Sequence, residues 1–134
     1  MIKEAESVSF SHLLLFCLAG ALGSLARYGM TSAVGALLGG SFPWGVFVVN
    51  VLGCFLFGAV WAASGILHLV SDAARLIILT GFMGAFTTFS TFIFDSQALL
   101  EGGSWAALLL NVGGQVVLGL LALRLGIRLV SLLA

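Results

Sequence analysis

Four stretches of the sequence are almost entirely apolar, and each is longer than the roughly 20 residues that an α-helix needs to cross a bilayer. They predict transmembrane helices over residues 10–36, 43–67, 73–99 and 105–131. The stretches lack the short alternating segments of a β-barrel. The hydrophobic share of 61% also exceeds the ~45–50% of soluble domains. We therefore predict an all-α membrane protein in which residues 1–134 form a single integral membrane domain.

Charge and cysteine usage narrow the function classes further. The formal net charge is zero and no basic run occurs, so nothing indicates a nucleic-acid partner. Cys17 and Cys54 lie in separate apolar segments without a partner motif, which favours plain small side chains over a disulfide or a metal site. A cleaved signal peptide is a rival interpretation of the first apolar run. The residues before that run are not basic, however, and another membrane segment follows it.

The most unusual stretch is Gly81–Phe92, inside the third apolar segment. Glycines at 81 and 84 precede two related triplets, Thr-Thr-Phe and Ser-Thr-Phe. Glycine beside Thr87 and Thr88 permits local unwinding, which is tolerated at bilayer depth only where the backbone is buried in protein or lines a wet cavity. Freed carbonyl groups can hold a cation, and hydroxyl groups can donate to an anion. We therefore predict a break in the third helix.

Three phenylalanines of this stretch, Phe86, Phe89 and Phe92, recur at intervals of three and are predicted to lie roughly along one side of a helix. The edge of an aromatic ring is positive, so a ring presented edge-on attracts an anion weakly. Weak attraction suits conduction, because an ion must leave as readily as it enters. The same spacing is also typical of ordinary core packing, and the pattern alone leaves both interpretations open.

Other polar residues within the apolar segments are candidates for association between helices or for a polar path. Asn50 can hold helices together or line a pore, where its NH₂ group would donate to an anion. Asn111 and Gln115 are four residues apart and share one helix face, which fits either helix association or a polar track. Arg27 can reach the headgroups or sit at the mouth of an anion path. Gly20 and Ser24 have the small-xxx-small spacing of a close packing face.

Several motifs together resemble one family. They are Gly20–Tyr28 in the first segment, Pro43–Gly45 with Val49–Gly53 in the second, and Gly81–Phe92 in the third. The chain resembles the small fluoride channels of the CrcB/Fluc type over essentially its whole length. Asp95 stands where that family often has glutamate. The resemblance implies passive export of fluoride across the bacterial inner membrane, a lipid bilayer, as protection against fluoride toxicity.

The family resemblance also implies an assembly and a set of site residues. The assembly is an antiparallel homodimer of dual topology with two fluoride pores and a structural sodium ion at the dimer interface. The main-chain carbonyls of Gly84 and Thr87 would hold the sodium ion, and Arg27 would lie near a pore vestibule. The implied pore residues are Asn50, Phe89, Ser90, Thr91 and Phe92. Asn111 and Gln115 would form the polar track of the fourth helix.

The distribution of basic residues is in tension with dual topology. Four spans place Lys3, Arg75, Arg124 and Arg128 on one side of the membrane and Arg27 on the other. The positive-inside rule interprets this as both termini in the cytoplasm.

Three other classes of protein compete with a channel. A proton-coupled exporter requires an intramembrane carboxylate, and we expect none to be buried, since Asp95 and Glu101 fall at the predicted end of the third span. A purely structural subunit would not need this cluster of hydroxyls and rings. An enzyme is disfavoured because no nucleophile and base occur together at bilayer depth.

Overall fold

The computed structural model describes residues 9–134, and all regular structure within them is helical. Four helical segments are long and apolar enough to cross a membrane: Phe10–Leu38, Trp44–Gly65, Asp72–Glu101 and Trp105–Ser131. The bounds predicted for the four spans agree with these bounds within two residues at each end. Lys3 and the rest of the polar amino terminus, on which the signal-peptide and topology arguments partly depend, lie outside the described residues.

The first two segments are continuous helices, α1 (Phe10–Leu38) and α2 (Trp44–Gly65), whereas the last two are subdivided. The third span contains α3 (Asp72–Leu76), a π-helical stretch (Ile77–Met83), α4 (Gly84–Phe86) and α5 (Phe89–Glu101). The fourth contains α6 (Trp105–Leu109), a π-helical stretch (Leu110–Gly114) and α7 (Gln115–Ser131). Such π-helical turns often mark functional positions.

The short connections are formed by residues suited to turns. Gly39 and Gly40 follow α1 with φ of 58° and 80°, a left-handed conformation in which glycine carries no steric penalty. Ser71 caps α3 by accepting a hydrogen bond from the Ala74 N–H at 3.2 Å. The chain therefore returns across the membrane after only a few residues at each end.

Glycines allow the helices to approach closely. A Cβ at Gly58 in α2 would collide with the Leu123 carbonyl, and one at Gly126 in α7 would collide with the Phe55 carbonyl. Because the two glycines face each other's helix, α2 and α7 pack backbone to backbone. The closest approach of α1 uses Gly23, where a Cβ would collide with the Phe82 carbonyl. The nearest atom to a Cβ at Gly20, by contrast, lies 3.8 Å away. As predicted, α1 packs closely through a small residue, but the point of closest approach is Gly23 and not Gly20.

A small core lies between α2 and the third span, and much of the remaining apolar surface is exposed. The core residues Val49, Leu79, Met83 and Phe86 are all less than 10% exposed. Gly23 is the one buried residue of α1, whose large side chains, such as Leu25 at 67% exposure, point outward. An apolar exterior of this extent suits lipid rather than water. The chain is a multi-pass membrane protein.

Candidate functional site

The third span is interrupted at two residues, as predicted. Thr87 (φ −84°, ψ 160°) and Thr88 (φ −148°, ψ 119°) have extended backbones between α4 and α5. The Thr87 hydroxyl donates to the Met83 carbonyl at 2.9 Å and closes the end of α4. The Thr88 hydroxyl accepts a hydrogen bond from the Thr91 N–H at 3.3 Å and caps the start of α5. We call Thr87 and Thr88 the helix break.

Asn50 of α2 holds the helix break from the side. Its Oδ1 accepts from the Thr88 N–H at 2.9 Å, and its Nδ2 donates to the Thr88 carbonyl at 3.1 Å. Nδ2 also donates to Gln115 Oε1 at 2.7 Å. In a continuous helix the Thr88 N–H would donate to the Gly84 carbonyl. The Asn50 side chain has therefore replaced a main-chain acceptor, and in this conformation both hydrogens of its NH₂ group bond to protein acceptors.

The polar residues of the fourth span continue this network. Gln115 Nε2 donates to Asn111 Oδ1 at 2.7 Å, and Asn111 Nδ2 donates to Ser96 Oγ at 2.9 Å. Ser96 in turn donates to the Phe92 carbonyl at 2.7 Å. Asn111 is completely buried and Ser96 is 8% exposed. Of the two interpretations of Asn111 and Gln115, association between helices describes these contacts directly, while a role in an ion path stays a prediction.

The phenylalanines occupy different environments. Phe86 is 3% exposed, belongs to the core and stacks on Phe82 with ring centroids 5.8 Å apart. Phe89 is 75% exposed, and Phe92 beneath it is 8% exposed, with their ring centroids 5.7 Å apart. The expectation that all three share one side of a helix is wrong, because the helix break changes the backbone direction between Phe86 and Phe89. Of the three rings, only those of Phe89 and Phe92 pair with each other.

An open cavity of ≈ 410 Å³ adjoins the helix break. Residues from α2, the third span and α7 line it, among them Asn50, Cys54, Gly84, Thr87, Phe89 and Leu123. The structure thus brings together the sodium candidates Gly84 and Thr87 and the pore candidates Asn50 and Phe89 on one surface. This surface combines apolar walls with main-chain and amide groups.

Other predicted site residues lie nearby or elsewhere. Ser90 and Thr91 are exposed in the first turn of α5, and their hydroxyls lie 3.5 Å and 3.0 Å from the Thr88 hydroxyl. Arg27 is half-buried within α1, eleven residues before its end at Leu38, and makes no salt bridge with any of residues 9–134. Cys17 and Cys54 are both free thiols, as expected.

One expectation about carboxylates is wrong. Asp95 Oδ2 is buried and has no hydrogen-bond partner among residues 9–134. Because α5 continues to Glu101, Asp95 lies nearly two turns inside the helix rather than at its end.

The sequence placed Thr88 in the helix break but did not indicate that its main chain binds Asn50, and Ser96 was missed as a part of the site. Ser96 could have been noticed as a small polar residue one helical turn after Phe92. Its partner on the fourth span, however, could not have been identified from spacing.

Comparison with known proteins identifies the family. A family profile described as "CrcB-like protein, Camphor Resistance (CrcB)" matches residues 14–127. A protein of Solidesulfovibrio magneticus named "Fluoride-specific ion channel FluC" is 57% identical over 112 residues, which cover 84% of this chain and 90% of that protein. Proteins of the same name from Nitratidesulfovibrio vulgaris and Thermus thermophilus are 54% and 46% identical, and the matched regions cover 86% and 87% of this chain and 93% and 91% of those proteins. The chain therefore belongs to the CrcB/FluC family of small fluoride channels, a family of ion channels rather than enzymes.

Proposed function

We propose that this chain conducts fluoride passively across the bacterial inner membrane as an antiparallel homodimer with two pores. The observation that carries the proposal is the pair of rings beside the helix break: Phe89 exposed, Phe92 buried, and the Asn50 carboxamide bonded to Thr88. Outward conduction would protect the cell from fluoride that enters as the neutral acid and ionises inside.

The case for a dimer begins with what a single copy leaves uncovered. The cavity beside the helix break is open, and Phe89 projects from its wall with three quarters of its surface exposed. Four helices packed through a small core do not enclose a polar path. A second copy seated over this surface would cover the cavity and place its own Phe89 there. Membrane lipid would then contact the outward leucines of α1.

The chemistry beside the break suits a small anion. The edges of Phe89 and Phe92 offer weak attraction without a fixed charge. The amino-terminal end of α5 contributes the partial positive charge of a helix dipole, and the exposed Ser90 and Thr91 hydroxyls can donate. Asn50 would meet fluoride by exchanging its bond to Gln115 for a bond to the ion. These terms are each small, which allows rapid departure.

The main chain at the break also fits a structural sodium ion at the dimer interface. In a continuous helix the Gly84 and Thr87 carbonyls would accept from the N–H groups of Thr88 and Thr91. Those two donors are bonded instead to Asn50 Oδ1 and to the Thr88 hydroxyl. Both carbonyls are thus freed from the helical pattern, and carbonyl oxygens are hard ligands suited to sodium. A bound sodium ion would supply positive charge that holds the carbonyls of two copies together.

The remaining family expectations are part of the same proposal. Arg27 would act near a vestibule, where its guanidinium would raise the local concentration of anions. Mixed insertion of the two copies would accompany the antiparallel arrangement.

The proposal is tested by fluoride efflux from liposomes that contain the purified protein. A fluoride electrode follows release under a potassium gradient with valinomycin, and the assay is repeated with chloride. We expect rapid fluoride release that requires the ionophore, with chloride retained. Phe89→Ile, Phe92→Ile and Asn50→Ser should each reduce the rate strongly while the dimer stays assembled.

Phe94→Ile provides a matched control, because Phe94 lies on the same helix and is 73% exposed but does not line the cavity. It should conduct like the wild-type protein. Unchanged efflux in all three pore variants would refute the pore assignment, and no release from correctly inserted dimer would refute the channel itself.

A further inference from the structure

Four side chains form an unbroken line of hydrogen bonds from α2 through the fourth span to α5. We call Asn50, Gln115, Asn111 and Ser96 the amide chain. It begins at the main-chain N–H of Thr88, which can only donate, so Asn50 must turn its Oδ1 toward Thr88 and can offer only its NH₂ group to Gln115.

The direction from donor to acceptor is the same at every hydrogen bond of the amide chain. Gln115 accepts from Asn50 through Oε1, so its Nε2 donates to Asn111 Oδ1, and Asn111 Nδ2 donates to Ser96 Oγ. The Ser96 proton then goes to the Phe92 carbonyl, which can only accept. Turning Gln115 over would set two donors against each other at one end and two acceptors at the other. The main chain at both ends therefore fixes the orientation of every amide.

The inner part of the chain is shielded from water. Asn111 is 0% exposed and Ser96 is 8% exposed, so a partner lost there is not replaced by solvent. The amide chain is bonded at one end to the main chain of Thr88 and at the other to the main chain of Phe92. These two residues are four apart in the sequence and enclose the first turn of α5. That turn carries Phe89, so the amide chain sets both the Asn50 carboxamide and the ring pair in place.

We infer that Ser96 and Asn111 are positioning residues for fluoride conduction. They do not meet the ion. Asn111 acts through Gln115, whose Oε1 holds the Asn50 NH₂ group in place until the ion replaces it as the acceptor, and Ser96 acts on Asn111 and on the Phe92 carbonyl. The inference rests on the proposed function, and it gives Asn111, which is fully buried, a directing role.

The test compares two buried serines. Ser96→Ala deletes a hydroxyl of the amide chain. Ser64→Ala deletes a hydroxyl that is 5% exposed and donates to the Val70 carbonyl at 3.1 Å, outside the amide chain. Fluoride efflux and fluoride-to-chloride selectivity are measured per assembled dimer, alongside the melting temperature. Ser96→Thr retains the hydroxyl and serves as the rescue variant.

We expect Ser96→Ala to lower efflux per dimer by about tenfold, because Asn111 Nδ2 loses its buried acceptor and releases the amides that orient Asn50. Ser64→Ala should lower only the melting temperature, and Ser96→Thr should recover most of the flux. If Ser96→Ala does not assemble, Ser96→Cys fills the site with a weak hydrogen-bonding group and should show the same loss of flux.

Three outcomes would overturn the inference. If Ser96→Ala carries the same flux per dimer as Ser64→Ala, Ser96 is only structural. The same conclusion holds if Ser96→Cys, used where Ser96→Ala does not assemble, carries the same flux as Ser64→Ala. Failure of Ser96→Thr to recover flux would mean that the hydroxyl is not the operative group. Absence of efflux from the wild-type protein would remove the proposed function and the inference with it, and this outcome is visible before any variant is compared.

Discussion

The Asn50 side chain forms both hydrogen bonds of a main-chain pair with Thr88, accepting from its N–H at 2.9 Å and donating to its carbonyl at 3.1 Å. The two residues are 38 positions apart in the sequence, so α2 supplies what the interrupted third span has lost. A buried main-chain break requires such partners, because neither lipid nor the protein core offers water. The break at Thr88 is therefore a stable feature rather than a local distortion.

The first prediction concerns this pair. Asn50→Ala leaves the N–H and carbonyl of Thr88, a residue only 8% exposed, without partners, and should lower the free energy of unfolding by about 2–4 kcal/mol. Reversible denaturation in detergent measures the loss. Gln97→Ala removes an exposed amide that donates to Glu101 Oε1 at 2.9 Å, and should change stability little. Equal losses in the two variants would contradict the role given to Asn50.

The second prediction concerns Gly53, which faces the break. A Cβ at this position would collide with Thr87 Cγ2, so Gly53→Ala should displace the helix break and reduce fluoride efflux. Gly35→Ala is the comparison, because a Cβ there meets no atom within 4 Å and alanine favours the helix. The liposome assay measures both variants. Wild-type flux in Gly53→Ala would show that conduction does not depend on the position of Thr87.

The third prediction concerns the sodium ion, whose proposed ligands are main-chain carbonyls that side-chain substitution cannot delete. A ligand that binds only the folded dimer stabilises it in proportion to the logarithm of its concentration above the dissociation constant. The melting temperature of the dimer should rise with sodium chloride and not with N-methylglucamine chloride at equal ionic strength. Identical melting curves in the two salts would argue against a bound sodium ion.

The fourth prediction concerns Asp95, whose Oδ2 is buried without a hydrogen bond within residues 9–134. A neutral amide is less costly to bury than a carboxylate, so Asp95→Asn should raise the melting temperature of the protein. Asp72→Asn removes an exposed carboxylate that pairs with Arg75 at 3.2 Å, and should have little effect. A lower melting temperature for Asp95→Asn would mean that a group outside residues 9–134 binds Oδ2.

Asp95→Asn also separates a channel from a proton-coupled exporter. A passive channel should keep conducting fluoride in this variant, and the efflux that it adds to that of protein-free liposomes should follow the membrane potential without responding to an imposed proton gradient. An exporter that uses Asp95 to carry protons would lose transport in the variant. Fluoride efflux with and without a pH difference across the liposome membrane distinguishes the two.

Much of the fold followed from the sequence because it depends on local properties. The four spans were predicted within two residues of their ends, since the length of an apolar run is what a bilayer selects. The break at Thr87 and Thr88 was also predictable, from glycines and hydroxyl residues placed where lipid-facing leucine is usual. The motifs around these residues were sufficient to identify the family.

Only the tertiary structure decided which residues meet. The Thr88 contact of Asn50, the link from Asn111 to Ser96 and the use of Gly23 instead of Gly20 all depend on how helices rotate and slide against one another. The periodicity of apolar residues and the composition leave those rotations undetermined, because several faces of an apolar helix can be buried equally well. The face that is buried is fixed by the few polar groups that must find partners and by the few glycines that permit close approach. These are interactions between distant parts of the chain.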